Sequence, residues 1–446
     1  MVETIEIQEY YENYKKLNIS ILKNDKLILK ESQSWKISFL PGLSYLRHLL
    51  KEVFLPQGFP DSVHPDYVPY QIWDTIQAFA STIIGTLTTH SILQGVGVGK
   101  STATPLAAAI SWILKDGTGM IGRILFAWWK GSDLDSQSKK WRLLADILND
   151  IAMGIELILP YFSQTSITIL LCISTSMKSI VGVAGAATRA ALTQHQALTN
   201  NLADVSAKDG SQETFVNLIA SVMGILILLI IENSYIREIY LILVLIHIYA
   251  NYSAVKSLRL STLNEDRLVL LLKHYYSTKI LLDTKKINSE ESLLFFNNTT
   301  KKQCGFHIKL GISIFSILKN QNQDFIKYVR NIILHNQNHV YLIVPDYRQK
   351  TIYISLKHNV QPSDILEAYF KAFFYGNVIK QFLKNDSLLK CTQNEGHFIL
   401  SKILVLENSL NKEFLEWYEL LRKSEWNHEH HLLPVKCWRG IWSVKN

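Results

Sequence analysis

Three charged side chains interrupt the apolar segment Ile110-Ser-Trp-Ile-Leu-Lys115-Asp116-Gly-Thr-Gly-Met-Ile-Gly-Arg123-Ile-Leu-Phe-Ala-Trp-Trp129. A second polar segment, Ala203-Asp204-Val-Ser-Ala-Lys208-Asp209-Gly-Ser-Gln212-Glu213, runs directly into the apolar residues 215–231. Charged groups inside a protein need partners, and charged groups facing lipid cost more still. The pattern therefore predicts a mainly α-helical, polytopic membrane bundle with a polar interior.

The composition of the 446-residue chain agrees with a membrane domain joined to a more polar domain. Hydrophobic residues make up 48% of the chain and charged residues 19%, and the apolar residues concentrate before about residue 252. The formal net charge of +8 is attributed to Lys and Arg beside membrane helices, and no nucleic-acid partner is expected. The four cysteines form no CxxC pair, which argues against a disulfide framework or zinc ribbon. The acidic N-terminus predicts no cleaved signal peptide.

Six segments predict helices that follow a linker punctuated by prolines between residues 41 and 69. We expect these helices near residues 70–96, 101–129, 141–159, 165–198, 206–231 and 235–258. Gly117-Thr-Gly119 predicts a break in the second helix. Residues 215–231 are just long enough to cross a hydrocarbon core, which needs ~17–25 residues.

The distribution of basic residues predicts the topology of the bundle. Lys130, Lys139, Lys140 and Arg142 join the second and third helices, so the positive-inside rule places both termini in the cytoplasm. We expect an N-terminal segment and linker at 1–65, a helical membrane domain at 66–262 and a C-terminal domain at 263–446.

The C-terminal region has the pattern of a small soluble α+β domain. Residues 341–345 and 351–356 predict two strands joined by the turn Asp346-Tyr-Arg-Gln. Pro362, with Ser363 and Asp364 after it, predicts a helix start. A helix at 411–423 and a final strand at 436–444 complete the domain.

Charged residues inside the predicted bundle are the candidate site. Adjacent helical residues do not face each other, so each member of the two Lys-Asp-Gly motifs is expected to find a partner elsewhere. Two readings stay open: a polar interior that binds a cation, a proton or a solute, and a closed salt-bridge network that joins the helices. The candidate residues are Lys115, Asp116, Arg123, Asp146, Asp150, Arg189, Asp204, Lys208, Asp209 and Glu213.

Other motifs favour structural roles. Gly95-Val-Gly-Val-Gly-Lys-Ser-Thr lacks the first glycine of a phosphate-binding loop, since position 94 is Gln, and it is interpreted as a turn. Small residues around Gly185 favour close helix packing. Asn427-His-Glu-His-His431 has no standard metal-ligand spacing and is interpreted as a solvated loop. His247 is interpreted as a hydrogen-bonded interior residue. We expect no cofactor and no bound metal.

The central block closely resembles the root UV-B sensitive (RUS) family over about residues 50–275. The resemblance implies a membrane-associated fold without an established biochemical activity, and some plant members associate with each other. Lys100 departs from the family pattern, which favours an acid there. The resembling motifs are Phe54-Leu-Pro-Gln-Gly-Phe-Pro-Asp-Ser-Val, Asp66-Tyr-Val-Pro-Tyr-Gln-Ile-Trp-Asp, Gly95-Val-Gly-Val-Gly, Trp112-Ile-Leu-Lys-Asp-Gly-Thr-Gly-Met-Ile-Gly-Arg, Leu144-Ala-Asp-Ile-Leu-Asn-Asp, Gly182-Val-Ala-Gly-Ala-Ala-Thr-Arg-Ala-Ala-Leu, Ala203-Asp-Val-Ser-Ala-Lys-Asp and His247-Ile-Tyr-Ala-Asn-Tyr.

Three functions follow as hypotheses. The first is transport or handling of a small metabolite or organic ion, in a bundle whose two three-helix halves are analogous to one half of a major facilitator transporter. Such a half-transporter is expected to form a homodimer, or a heterodimer with a related chain, among membrane lipids. The alternative is a membrane scaffold whose cytoplasmic C-terminal domain recruits protein partners. An enzyme is not expected, because no nucleophile or metal constellation is present.

Overall fold

The computed structural model describes residues 5–11, 15–23, 26–32, 41–97, 105–295, 298–319, 321–385 and 395–442. The chain divides into two compact units. We call Met1–Trp129 with Trp141–Leu258 the helical unit, and Lys130–Lys140 with Arg259–Asn446 the carboxy-terminal unit. The short segment Lys130–Lys140 thus belongs to the carboxy-terminal unit, although it lies between two long helices in the sequence.

The helical unit begins with a three-stranded antiparallel sheet. Strand β1 pairs with β2 and β2 with β3, in the order of the sequence. The helix after the sheet lies in the region that was predicted to be a proline-punctuated linker. Pro41 occupies the first position of this helix, where a missing N–H costs nothing. The elements are β1 (Ile5–Tyr11), β2 (Lys15–Lys23), β3 (Lys26–Ser32) and α1 (Pro41–Phe54).

Six long helices follow, and each corresponds to one of the predicted helices. Helix α2 is central, because it packs against both α6 and α7. Gly97 ends α2 in the left-handed region, with φ of 86°, which agrees with the predicted turn; residues 98–104, including Lys100, lie outside the described part. The helices are α2 (Tyr67–Val96), α3 (Pro105–Lys130), α4 (Ser138–Leu157), α5 (Gln164–Gln196), α6 (Leu202–Ile230) and α7 (Ile236–Ser257).

The predicted break at residues 117–119 is wrong, since α3 is continuous. Its glycines instead allow a close approach to α5. A Cβ added at Gly119 would lie 2.9 Å from Thr175 Cγ2, and one added at Gly122 would lie 2.7 Å from Ser179 Oγ. The two glycines therefore let the backbones of α3 and α5 pack closely.

Among the described residues, three helices rather than six are long and apolar enough to cross a membrane. They cover Thr165–Gln196 in α5, Leu202–Ile230 in α6 and Ile236–Ser257 in α7. The expectation of six spans is corrected for a physical reason: α2, α3 and α4 carry charged and amide side chains along their lengths, which lower their apolar character.

The carboxy-terminal unit combines a mixed sheet with helices. In the sheet β5-β7-β6, β5 runs parallel to β7 and β6 runs antiparallel to it. Helix α13 packs on this sheet through the buried Tyr369 and Phe373. The elements are β4 (Thr262–Asn264), α8 (Glu265–Thr278), α9 (Thr284–Glu290), α10 (Thr299–Cys304), β5 (His307–Leu310), α11 (Ile314–Leu318), α12 (Gln323–His335), β6 (Tyr341–Asp346), β7 (Thr351–Leu356), α13 (Pro362–Asn385), α14 (Glu395–Arg422) and β8 (Asn427–Leu432).

The predicted strand pair and helix start are confirmed. Asp346 Oδ1 accepts the backbone N–H groups of Arg348, at 3.1 Å, and Gln349, at 3.0 Å, which closes the turn between β6 and β7. Helix α13 begins at Pro362, as predicted, and α14 begins at Glu395 rather than near residue 411.

The last strand lies earlier than predicted. Residues 427–432 form β8, which pairs with β4 in parallel, so the histidines interpreted as a solvated loop lie on a strand. Between residues 436 and 442 the chain contributes an isolated bridge, from Gly440 to Lys357. Pairing with β4 explains the shift, because that partner strand was not apparent in the sequence.

Candidate functional site

A buried row of polar side chains joins α2, α4 and α7. We call Gln77, Asp146, Asp150, His247 and Asn251 the polar seam. Gln77 Nε2 lies 3.2 Å from Asp146 Oδ2 and 2.9 Å from His247 Nε2. His247 Nδ1 lies 2.9 Å from Asp150 Oδ2, and the Asn251 amide donates to Asp146. One residue of α2, two of α4 and two of α7 thus form a continuous hydrogen-bonded chain.

The imidazole of His247 occupies the centre of the seam and is fully buried. Because the Gln77 amide nitrogen donates to Nε2, that ring nitrogen acts as an acceptor, and Nδ1 carries the proton donated to Asp150. The ring is therefore held on both sides and in one tautomer. A proton gained at Nε2 would require Gln77 to move or turn its amide.

The seam carries more negative than positive charge. Arg142 NH2 donates to Asp74 Oδ1 at 2.8 Å beside the seam. Together the seam and this flanking pair contain three carboxylates and one guanidinium. Asp150 Oδ1 is buried and has no hydrogen-bond partner among the described residues. Buried uncompensated carboxylates are costly, so the seam is suited to holding a proton or a cationic group.

A second charged cluster lies between α5 and α6. Arg189 Nε donates to Asp209 Oδ2 at 2.8 Å, and its NH1 group donates to Glu213 Oε2 at 2.6 Å. Gln71 Nε2 of α2 donates to Asp209 Oδ1 at 2.9 Å. The Arg189 side chain is 36% exposed, so this cluster, unlike the polar seam, is open to its surroundings.

The remaining predicted residues lie apart from these two clusters. Lys115 Nζ is 3.7 Å from Asp116 Oδ1, although adjacent residues were expected to find partners elsewhere, and Asp116 is 51% exposed. Arg123 is exposed. Lys208 donates to the Glu52 carbonyl, and Asp204 accepts the Gln57 backbone N–H at 2.7 Å. The last two contacts attach the segment before α2 to α6.

Three residues that the sequence did not single out could hold a metal ion. His64 precedes α2, Asp66 is the N-cap residue of α2, and His195 lies at the end of α5. One potential ligand atom from each falls within 4.8 Å of the others. This group could not be recognised in the sequence, because 129 residues separate Asp66 from His195.

The basic residues used to predict topology are largely paired. In the carboxy-terminal unit, Lys139 Nζ lies 3.2 Å from Glu291 Oε2 and Lys140 Nζ lies 2.5 Å from Asp266 Oδ2. Both lysines are buried. Arg267 Nε donates to Glu291 Oε1 at 3.1 Å. These charges therefore bind protein carboxylates rather than remaining free for lipid headgroups.

Two cations control the ionisation of Glu291. Burial alone would raise the pKa of this carboxyl group, but Arg267 and Lys139 favour the carboxylate and lower its pKa to about 2. Asn264 Nδ2 also donates to Oε1, at 2.9 Å. The ionised form of Glu291 thus joins β4, α8 and the segment Lys130–Lys140.

Two family models together cover most of the chain. Residues 42–279 match the model described as "Vitamin B6 photo-protection and homoeostasis domain", and residues 280–442 match "Root UVB sensitive protein, C-terminal". No solved structure matches the chain, so the analogy with half of a major facilitator transporter stays a prediction.

Curated relatives agree with the family models. "RUS family member 1" of Dictyostelium discoideum is 44% identical over 65% of this chain and 56% of its own length. "Protein root UVB sensitive 3" of Arabidopsis thaliana is 35% identical over 88% of this chain and 86% of its own length. "Protein root UVB sensitive 2, chloroplastic" of the same plant is 25% identical over 75% of each chain. The chain therefore belongs to the root UVB sensitive family.

Proposed function

We propose that this protein is a multi-pass membrane protein that binds and moves a small organic ion through its helical unit. The polar seam carries the proposal. Together with the flanking pair of Asp74 and Arg142, it places three carboxylates and one guanidinium among helices that include the candidate span Ile236–Ser257. A cationic group bound there would offset the excess negative charge.

The description of the matching family model suggests the first ligand to test. It names vitamin B6, whose forms share a pyridine ring with polar substituents. A protonated pyridine nitrogen is a cation that pairs well with a carboxylate, as Asp does with pyridoxal phosphate in many enzymes. Asp150 Oδ1, buried without a described partner, has the chemistry of such an acceptor.

Assembly into a dimer is part of the proposal. A Cβ added at Gly182 or Gly185 would meet nothing within 4 Å, so this part of α5 has room for another helix. Small residues favour close contact between membrane helices. A second copy of the chain, or a related family member, would complete the wall of a solute passage.

A membrane scaffold is the second candidate, and the pairing of charges within the helical unit favours it. Arg189, Arg142 and Lys178 each contact a carboxylate of the same unit. Such a network also stabilises a purely structural bundle. The carboxy-terminal unit would then bind protein partners while the helical unit holds it at the membrane.

Ligand binding separates the two functions. The full-length protein in nanodiscs would be titrated with pyridoxine, pyridoxal and pyridoxal phosphate, and uptake would be measured in proteoliposomes. We expect binding and uptake to fall at least tenfold in Asp150→Asn and His247→Gln. His90→Gln is the matched control, because His90 lies on α2 and is exposed. A well-folded wild-type protein that neither binds nor moves these compounds would favour the scaffold.

Labelling tests the membrane spans independently of any ligand. Helix α6 separates Asn200 from Ser234, so single cysteines at these positions should lie on opposite sides of the membrane. The four native cysteines would first be replaced by serine. Equal reaction of both positions with an impermeant reagent in sealed vesicles would contradict a span through α6.

A further inference from the structure

A carboxylate between two imidazoles lies where the segment before α2 meets the end of α5. Asp66 is fully buried, and its Oδ1 lies 2.8 Å from His64 Nδ1 while its Oδ2 lies 2.9 Å from His195 Nε2. The two imidazole rings have centroids 4.3 Å apart. We propose that His64, Asp66 and His195 bind a divalent transition-metal ion, a site that does not rest on the proposed transport function.

The spacing of the ligand atoms fits such an ion after a small adjustment. Zn²⁺ binds nitrogen and oxygen ligands at ~2.0–2.2 Å, which places two ligands of a tetrahedral site roughly 3.4 Å apart. The observed separations of 2.8 and 2.9 Å would increase by about half an ångström. We expect rotation of the His64 and His195 side chains to provide this movement.

Backbone hydrogen bonds hold the two ligand-bearing segments together. His64 N–H donates to the Gln196 carbonyl at 2.9 Å, and Leu198 N–H donates to the Ser62 carbonyl at 3.2 Å. Val63 and Ala197 form the bridge between these two bonds. The ligands are therefore held close together by the fold itself, which lowers the ordering cost of binding an ion.

The Asp66 carboxylate does not cap helix α2, although its position in the chain is that of a helix cap. Asp66 is the N-cap residue of α2, yet its side chain makes no capping hydrogen bond. Aspartate at this position normally accepts an N–H from the first turn, which is worth about 1 kcal/mol to the helix. Here the carboxylate instead contacts both histidines, so its two oxygens face nitrogen atoms that can also bind a metal ion.

Two buried polar atoms on the ligand-bearing segments also support a bound metal ion. Ser62 Oγ and Gln196 Nε2 are buried and have no hydrogen-bond partner among the described residues. Each lies on one of the two ligand-bearing segments, and Gln196 is next to His195. Water bound to a metal ion would offer such atoms a partner, as buried waters do elsewhere.

The ligand set indicates the class of metal and leaves coordination positions free. Imidazole suits Zn²⁺, Fe²⁺, Ni²⁺ and Cu²⁺, and two histidines with one carboxylate form a three-ligand set that leaves room for water or another ligand. Both histidines are partly exposed, so an ion has a path to the buried carboxylate.

Metal titration of the full-length protein in nanodiscs tests the proposal. After chelation, Co²⁺ would be added as a spectroscopic probe and Zn²⁺ would be added in competition. We expect one Co²⁺ per chain, with visible absorption of a nitrogen- and oxygen-ligated ion, displaced by one equivalent of Zn²⁺. His195→Gln and His64→Gln should each weaken binding by at least the roughly 10–100-fold that changes around a metal site cause.

Controls keep the test independent of folding. His90→Gln changes an exposed histidine of the same unit and should leave Co²⁺ binding unaltered. If the site variants fail to fold, Zn²⁺ should still raise the melting temperature of the chelated wild-type protein, since an ion that binds the folded state stabilises it. Wild-type protein that binds no stoichiometric Co²⁺, or site variants that bind as tightly as wild type, would overturn the proposal.

Discussion

Replacement of Glu291 by glutamine tests how strongly buried charges join the segment Lys130–Lys140 to the rest of the carboxy-terminal unit. The Glu291 side chain is 2% exposed and lies within 3.2 Å of Lys139 Nζ and 3.1 Å of Arg267 Nε. Loss of its charge leaves two buried cations with less compensation. Removing one partner from a buried ion pair costs about 3–5 kcal/mol.

The pKa of Glu291 leads to a similar magnitude. Its value of about 2 lies below the ordinary value of 4.5, and each unit of difference corresponds to about 1.4 kcal/mol. The carboxylate therefore contributes roughly 3 kcal/mol to the stability of the folded unit at neutral pH.

The sign of the pH dependence follows from the lowered pKa. The contribution is fully present above the unfolded pKa of about 4.5, and it is lost as the pH falls towards the folded pKa of about 2. The difference in stability between wild type and Glu291→Gln should thus be greatest above about pH 5 and should lose more than a third of its size by pH 3.

Hydrogen exchange measured by mass spectrometry on the full-length protein provides the assay. The free energy of opening for peptides covering α8 should fall by about 3 kcal/mol in Glu291→Gln at pH 7. Glu290→Gln is a matched control, because its side chain is 30% exposed and should cost less than about 1 kcal/mol. Equal effects of the two variants, or an effect of Glu291→Gln that does not change between pH 7 and pH 3, would refute this account of the network.

Three further predictions concern the helical unit. Gly122→Val should destabilise the packing of α3 on α5, because a Cβ there would lie 2.7 Å from Ser179 Oγ, whereas Gly117→Ala should be tolerated because its Cβ would meet nothing within 4 Å; melting in detergent checks both. Gly185→Leu should leave the folded monomer intact, since nothing lies within 4 Å, and should weaken the proposed dimer in mass photometry. Lys178→Gln should lower the melting temperature more than Glu156→Gln, because it leaves the Glu156 carboxylate, whose side chain is 3% exposed, without its counter-charge, whereas the Lys178 side chain that Glu156→Gln leaves behind is 36% exposed; the reverse order would contradict this assignment of burial.

The six long helices of this protein could be predicted because apolar residues recur along segments of 20 to 33 residues. Their membrane role was harder to predict. Charges within α3, such as Asp116, are visible in the sequence, but their exposure depends on neighbouring helices. Helix α3 also turned out to be continuous through Gly119, because a glycine that suggests a break also permits close packing against α5.

The contacts of the polar seam could not be predicted from residues that are close together in the sequence. Asp146 and Asp150 share a helix face and could be singled out by their spacing of four residues. His247, which contacts Asp150 and Gln77, lies 97 residues from the former and 170 residues from the latter. Only the packing of α2, α4 and α7 brings these side chains together.

The same limit applies to the basic residues at the start of α4. Lys139 and Lys140 have the composition of a loop beside a membrane, and the positive-inside rule was applied to them. Their carboxylate partners, Glu291 and Asp266, follow more than 120 residues later. The charge of a lysine can be recognised in the sequence, whereas its burial in an ion pair depends on residues that are distant in the sequence.

Binding of a vitamin B6 compound by the polar seam is the most direct test of the proposed function. Isothermal titration of pyridoxal phosphate, pyridoxal and pyridoxine into the nanodisc-embedded protein should detect saturable binding of at least one compound by wild type and by His90→Gln. The same titration should detect at least tenfold weaker binding by Asp150→Asn, which keeps the shape of the side chain and removes its charge. Undiminished binding by Asp150→Asn, or no binding by folded wild-type protein, would contradict the assignment of the polar seam as the solute site.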